Sequence, residues 1–597
     1  MKIMQRLSLL AVAALLALSA VGCQQQANPA LEQQRFDAFI EQEFIRAMES
    51  DYLTAHTYLQ NPENFGVNRN NITVQLGARP DETPSEAAQQ AEQAAARTFS
   101  SFNRNILTET QRDTYDTYAY QVALNEKLSN EKFDYYASYF ESISGLQFQL
   151  PVLFADWQVR HEQDAQDLIT LLNDTKPYVD SVLAYTKKQE ELGLLAVDTD
   201  SVIKSCEKLL QAGENSAILA AMHSQLETLE LPAETIQSYQ QQVTQAFTQS
   251  FLPAFTAIQT AMEEFAQNGK NHTQGLAGLP NGKEYYALLL QKNSGSTRSV
   301  QEVKTAMENA LRTHLSNVMT LAMTNPNVAQ SLLSDNKEQT NYTSYTAMLD
   351  DLKSNISAQS PAINGLNYHI TDMNPEIAPD SGISAYFVVP TLDGDGTQQL
   401  RVNPSINQMQ ALSTFSTVAH EGYPGHMYQY AYLYANGANN FMKTLAGNSA
   451  YVEGYAVYAQ YEAMNYLKDL DTTFLQMYRE NELATYCAII LADIGIHDEG
   501  WSLTEFQRFF EQMGFSLDET GLQQQYTQLQ ANPAAFIPYY VGYHTIADIK
   551  EQAQSTLGST FDETAFHAAL LQAGPAPFTV VQRSIDRYIE QARSERV

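Results

Sequence analysis

The sequence predicts a mainly α-helical protein, a large helical body with a small β-hairpin next to the helix that carries its most reactive residues. Apolar residues recur at helical spacing from about Ala30 onward. In RFDAFIEQEFIRAMES the positions are Phe36, Phe39, Ile40, Phe44 and Met48. SYQQQVTQAFTQSFLPAFTAIQTAMEEFAQ and VQEVKTAMENALRTHLSNVMTLAM repeat the pattern. One stretch breaks it. GISAYFVVPTLDGDGTQQLRVNP, residues 382–404, has β-rich arms around LDGDG, a hairpin signal. No repeat of fixed period is visible, so a solenoid is not expected. At 597 residues the chain exceeds one ordinary core and suits a large all-helical body or two lobes. The Gly/Pro/Asn-rich break NGKNHTQGLAGLPNGKEYY, 268–286, divides an N-terminal helical part, 35–275, from a C-terminal part, 276–597. The two parts can also form one continuous domain.

The stretch 1–22 reads as a targeting segment. Lys2 and Arg6 precede an apolar run from Leu7 to Ala20 that is too short to span a membrane, and small residues lead to Cys23. AVGC resembles the lipobox of bacterial lipoproteins, with Ala20 where leucine is more usual; an ordinary cleaved signal is the alternative. Lipidation at Cys23 would leave residues 23–34 as a polar tether. Only Cys206 and Cys487 remain, in helix-like surroundings, which predicts buried thiols and no disulfide framework. The expected location is therefore extracytoplasmic, on a lipid anchor. With 35 basic against 68 acidic residues, the net charge of −33 argues against nucleic acid and against an anionic membrane surface. Membrane contact is expected only through the N-terminal lipid, and cationic peptides are left as plausible ligands, although an acidic surface more often serves solubility alone.

The chemistry concentrates in STVAHEGYPGHMYQYAYLYA, residues 416–435. His420 and Glu421 begin like the H-E-x-x-H device, which places two histidines on one helix face with a glutamate beside the metal. Here Pro424 stands where the second histidine belongs, and His426 follows two positions late. On a regular helix that six-residue step turns about 600°, so the two rings would diverge. Pro424 lacks an N–H and clashes with the carbonyl four positions back, which forces a kink or bulge. Gly422 and Gly425 give the backbone freedom to loop out and return. Two readings stand on these residues alone: a metal site on a broken helix, or a helix end carrying two structural histidines. Downstream, GNSAYVEGYAVYAQYEAM reads as a helix capped at about Asn448 with Glu453 in its second turn. A strand beside such a helix suits a peptidase, because a peptide can pair with its exposed edge.

HEGYPGH followed by EGYAVYAQYE resembles the H-E-x-x-P-G-H and E-G-W-A-x-Y-A-E motifs of a bacterial family catalogued as a domain of unknown function, DUF885. GLPNGKEYYALLLQKNSGS (278–296), ILADIGIHDEGWSLTEFQRFF (490–510), PAAFIPYYVGYHTI (533–546) and GPAPFTVVQRSIDRYI (574–589) are similar to further segments of that family. The family looks like a relative of helical zinc metallopeptidases such as angiotensin-converting enzyme and thimet oligopeptidase. The resemblance implies a deep central cleft and one zinc per chain, held by His420, His426 and Glu453, with Glu421 as general base. The distance in sequence from His426 to Glu453 is in keeping with the glutamate-zincin arrangement. The oxyanion then needs a further donor. His497 and Tyr539 fall on matching family positions, with Tyr540, Tyr543 and His544 as other candidates. Asp493, one turn before His497, is expected to orient it. The chain departs from the family pattern at Tyr455 (often Trp), Gln460 (Glu) and Ala534-Ala535 (Gly-Gln).

The function expected is hydrolysis of peptides by zinc-activated water, as an oligopeptidase or carboxypeptidase. A zinc amidase or esterase acting on a non-peptide substrate would use the same chemistry. A non-catalytic peptide-binding lipoprotein and a helical surface adhesin are the alternatives outside enzymes. Neither a G-x-S-x-G elbow nor a P-loop occurs, which leaves serine hydrolase and nucleotide-dependent readings without support.

Overall fold

Helix formation begins earlier than the tether reading allows. The computed structural model describes residues 28–594, apart from 273, 334–338, 357–358, 379–382, 407 and 515–517. The targeting segment and Cys23 lie outside the described residues. Residues 29–34, expected as tether, are already the first turns of helix Pro29–Ser50. Asn28 caps it by accepting the Ala30 N–H, Pro29 occupies the first turn where its missing donor costs nothing, and Glu32 complements the helix dipole. Its buried face is the expected one: Phe36, Phe39, Ile40, Phe44 and Met48.

Helices make up most of the remaining chain, and their cores interleave across residue 275. Phe36, Phe39 and Tyr118 share a cluster with Phe441, Met442 and Val580. Leu124 and Phe133 share another with Tyr286, Ile490 and Val541. A third core, around Trp157, Leu168 and Phe251, belongs mainly to the N-terminal part but takes in Met373 and Ile377. Among the described residues no helix is long and apolar enough to cross a membrane. Cys206 and Cys487 are free and buried, as expected.

The expected hairpin forms, within a three-stranded sheet of order β1-β3-β2. Strand β2 (Ala385–Val388) pairs antiparallel with β3 (Gln398–Val402), Phe387 opposite Leu400. Strand β1 (Tyr368–Asp372), which the periodicity does not reveal, pairs parallel on the other side of β3. The loop of LDGDG is fastened from outside. Asp393 accepts the backbone N–H groups of Gln60 (2.7 Å) and Asn61 (2.8 Å), tying the hairpin to the N-terminal part. With β3 central, β1 and β2 are the two edges of the sheet.

Two glycines set a close helix crossing. Helices Ser449–Ala463 and Ile537–Leu557 pack against each other where a Cβ on Gly454 would lie 2.4 Å from the Gly542 carbonyl carbon, and one on Gly542 would lie 2.2 Å from the Ala450 oxygen. No side chain fits between the backbones at this point. The contact brings Glu453 and Tyr539, on neighbouring helices, to one region.

Candidate metal centre and active site

The helix carrying His420 runs from Leu412 to Glu421 and stops. A second helix starts at His426 and runs to Asn436. Between them Gly422 and Gly425 adopt ψ near −121° and −130°, outside the helical range, and the Tyr423–Pro424 peptide is cis. The Gly425 N–H donates to the Ala419 carbonyl (3.0 Å) and the Met427 N–H to the Gly422 carbonyl (3.1 Å), so the excursion closes on itself. A Cβ on Gly425 would lie 1.9 Å from the His420 oxygen, which leaves room for glycine alone. Tyr455 donates from its hydroxyl to the Pro424 carbonyl (3.3 Å). That contact gives a place to the tyrosine found where the family often has tryptophan.

The looped-out residues restore what a regular helix would lose. The His420 and His426 rings lie 4.9 Å apart at 87° and both are buried. Their Nε2 atoms stand 3.4 Å and 3.5 Å from one oxygen of Glu453. Two ligand atoms about 2.1 Å from a tetrahedral zinc would be separated by roughly 3.4 Å. Ring orientation is fixed from behind: His420 Nδ1 lies 3.0 Å from the Gln460 side-chain oxygen and His426 Nδ1 3.2 Å from that of Gln429. Amide oxygens there accept the Nδ1 protons and leave both Nε2 lone pairs facing Glu453. Two neutral imidazoles and a carboxylate converging in this way match the donor set of a zinc site.

Electrostatics without a cation express the same arrangement. Burial would push His426 down, but Glu453 and then Glu421 outweigh it and raise its pKa to about 9. Burial likewise opposes the charge on Glu453, yet the two facing imidazoles hold its carboxyl well below the usual range. The arrangement favours a positive charge between the two imidazoles and the carboxylate.

Glu421 occupies a different position from Glu453. One of its oxygens is 3.8 Å from His420 Nε2, and the other accepts the Phe387 N–H of β2 at 2.9 Å. Because that N–H points away from β3, Phe387 and Ala385 present their backbone outward while Tyr386 and Val388 face the sheet. The Phe387 ring in turn stacks near His426 and Tyr430, at 6.2 Å and 5.3 Å between centroids.

Of the expected oxyanion donors, Tyr539 reaches the site. Its ring lies 6.3 Å from that of His420 at 23°. Burial, then the charges of Glu453 and Glu421, push its hydroxyl pKa well up, so it remains a proton donor. It also lines a cavity of about 470 Å³ between residues of the N-terminal part, such as Tyr136 and Glu141, and Asn532, Tyr540 and Lys292. Of the remaining candidates only Tyr540 shares that cavity, and each is engaged by other side chains. Tyr540 stacks on Tyr486 at 3.8 Å, Tyr543 meets the Tyr461 ring edge-on, and His544 lies against Cys487.

His497 is corrected by the structure. It is completely buried, its Nδ1 accepting the Leu276 N–H (3.1 Å) and its Nε2 donating to the Leu529 carbonyl (2.9 Å). Both nitrogens are consumed by backbone, so it has no donor for a substrate, and burial lowers its pKa to about 4. Asp493 does not orient it either. Its carboxyl accepts the Tyr286 hydroxyl (2.6 Å) and the Ala534 N–H (3.1 Å), leaving His497 Nε2 3.7 Å away. Burial raises Asp493 to about 7. The D-x-G-x-H segment is an internal brace for the loop before helix Ile537–Leu557.

The braced loop also holds one departure from the family pattern. Ala534 has φ +62°, a left-handed conformation that disfavours a side chain, at the position where the family carries glycine. Ala534→Gly is expected to stabilise the protein by about 0.5–1 kcal/mol, after the greater freedom of glycine in the unfolded chain is counted. An unchanged or lower midpoint in urea unfolding would contradict this.

Gln460, singled out in the sequence as a departure from the family pattern, is the partner of His420, and the partner that sequence reasoning missed is Gln429, behind His426. Gln460 stands two turns after Glu453 on the same helix face, and Gln429 one turn after His426. Both spacings are visible in the sequence once the ligands are chosen. The Phe387 backbone contact has no such signal.

The description "Bacterial protein of unknown function (DUF885)" matches residues 65–585. This chain belongs to the DUF885 family. Two solved structures share the fold of this DUF885 protein. A protein described as a lipoprotein from Colwellia psychrerythraea is 17% identical with a TM-score of 0.77, over 94% of this chain and 99% of its own. Another described as a lipoprotein of unknown function, from Shewanella oneidensis, is 14% identical with a TM-score of 0.59, over 93% and 99% respectively. No curated protein matches the chain.

Proposed function

We propose that this DUF885 protein is an extracytoplasmic, lipid-anchored zinc metallopeptidase, acting on peptides as an oligopeptidase or carboxypeptidase. The observation that carries the reading is the convergence of His420 and His426 Nε2 on one oxygen of Glu453, 3.4 Å and 3.5 Å away, with Glu421 alongside. His420, His426 and Glu453 would hold the ion, which when bound supplies Lewis acidity and an acidified water. Glu421 takes the proton of the attacking water and passes it to the departing amine. Tyr539 donates its hydroxyl hydrogen to the oxygen of the scissile carbonyl as charge develops there. On the outward edge of β2 the Phe387 N–H is held by Glu421, which leaves the carbonyl of this half-buried residue for an extended peptide and favours peptides over other acyl substrates. The lipobox-like AVGC and the two lipoprotein relatives support anchoring at Cys23.

The test compares hydrolysis of a peptide library by the parent protein, His426→Ala and Tyr539→Phe, with metal content measured for each. His426→Ala is expected to lose one equivalent of metal and all turnover. Tyr539→Phe is expected to keep its metal and lose kcat by about 10²–10³-fold. A His426→Ala protein that binds as much metal as the parent would overturn the assignment of the site.

A further inference from the structure

A second group of metal-binding side chains lies apart from the first. His314, Cys487 and His544 come from three helices, Val300–Thr324, Thr472–Ile494 and Ile537–Leu557. One ligand atom from each lies within 4.8 Å of the others. Cys487 Sγ is 3.3 Å from His544 Nε2, and the two imidazole rings are 5.3 Å apart. Cys487 and His544 are buried, while the His314 side chain retains 13% exposure and marks the way in.

We propose that His314, Cys487 and His544 form a second zinc site. A thiolate with two imidazoles is a donor set that selects zinc over hard, oxygen-seeking cations. A thiol–imidazole hydrogen bond by itself needs only Cys487 and His544. The third side chain, and what holds it, go beyond that. His314 Nδ1 lies 2.8 Å from Glu480, the carboxylate–histidine pairing that orients a ligating ring. Glu480 is itself fixed by Asn317 Nδ2 at 2.9 Å and by Arg479 at 3.4 Å. Binding exchanges the Cys487 thiol proton for the metal: the sulfur lone pair forms the new bond, the proton leaves to solvent, and no redox partner is required. The three helices include the one that carries Tyr539 and the one that carries Asp493, so an ion here would pin these two elements together.

Titration of the metal-free purified protein with zinc, and separately with cobalt(II) as a spectroscopic stand-in, tests the proposal. The expected result is two equivalents per chain and a sulfur-to-cobalt charge-transfer band. Cys487→Ala loses the band and one equivalent, but keeps the equivalent that His426→Ala loses. His314→Ala, at the edge of the cluster, provides the same comparison should the core substitution fail to fold. Absence of the band in the parent protein, or its survival in both variants, overturns the site. The first site contains no sulfur ligand, so its failure would show in the His426→Ala comparison alone.

Discussion

Glu421→Gln is expected to lower kcat by roughly 10²–10⁴-fold while leaving the metal in place, the range by which a positioned general base accelerates proton transfer. The geometry separates these effects. Glu453 is the carboxylate that both histidines face, at 3.4 Å and 3.5 Å, whereas Glu421 stands 3.8 Å from His420 Nε2 and directs its other oxygen to the Phe387 N–H. Glutamine preserves shape and can still accept that N–H through its own oxygen, so the strand and the broken helix stay where they are. What it lacks is the capacity to take a proton. Measuring kcat on the best library peptide beside metal content gives the answer. Full turnover by a metal-loaded Glu421→Gln protein would remove Glu421 from the base role.

Legibility in the sequence follows the range of the interaction responsible. Features governed by a few consecutive residues are readable: the apolar face from Phe36 to Met48, the Asn448 cap that places Glu453 in a second turn, and the hairpin arms around LDGDG. The broken helix is readable too, because Pro424, Gly422 and Gly425 leave the backbone few ways to bring His420 and His426 together. The helical pattern from about Ala30 is readable as well, and Asn28, Pro29 and Glu32 form its start signal; the tether bound at residue 34 overlaps it because the polar glutamines there read as linker. Strand β1 escapes notice. YHITD is short and half exposed, and it is a strand because β3, far along the chain, offers it a parallel partner.

His497 shows the same limit within the site. A histidine one helical turn after an aspartate looks like a catalytic pair in sequence. Whether its nitrogens face a cleft or the carbonyl of Leu529 depends on segments distant in the chain. The grouping of His314 with Cys487 and His544 is equally invisible, because its members are scattered along the C-terminal part and meet only where three helices pack. Gly454 and Gly542 carry an intermediate kind of information. Each is compatible with a helix interior only at a cost, and that cost is what suggests a close crossing before the partner is known.

Glu453→Gln is expected to weaken metal binding by more than about 100-fold, beyond what loss of an outer partner typically costs. It should also remove a pH dependence that the metal-free protein carries. His426 has its pKa raised from 6.5 to about 9, mostly by the Glu453 charge acting against burial. A raised pKa contributes stability that is complete below 6.5 and lost as pH climbs through about 9, here on the order of 3 kcal/mol. Glu453, held below its ordinary 4.5, contributes stability above that value and loses it toward acid. The metal-free protein is therefore most stable between about 4.5 and 6.5 with respect to this pair, and weakens on the alkaline side just where a metal would gain access to a deprotonated His426. Urea unfolding in chelator at pH 6 and pH 9.5 reads the slope directly. The glutamine variant should flatten it, with Glu421 sustaining only a remnant; an unchanged slope would mean that His426 draws its proton affinity from elsewhere. On the proposed reading, the ion pair that stabilises the metal-free protein also makes protons compete with metal, so a cation would replace a proton between His426 and Glu453.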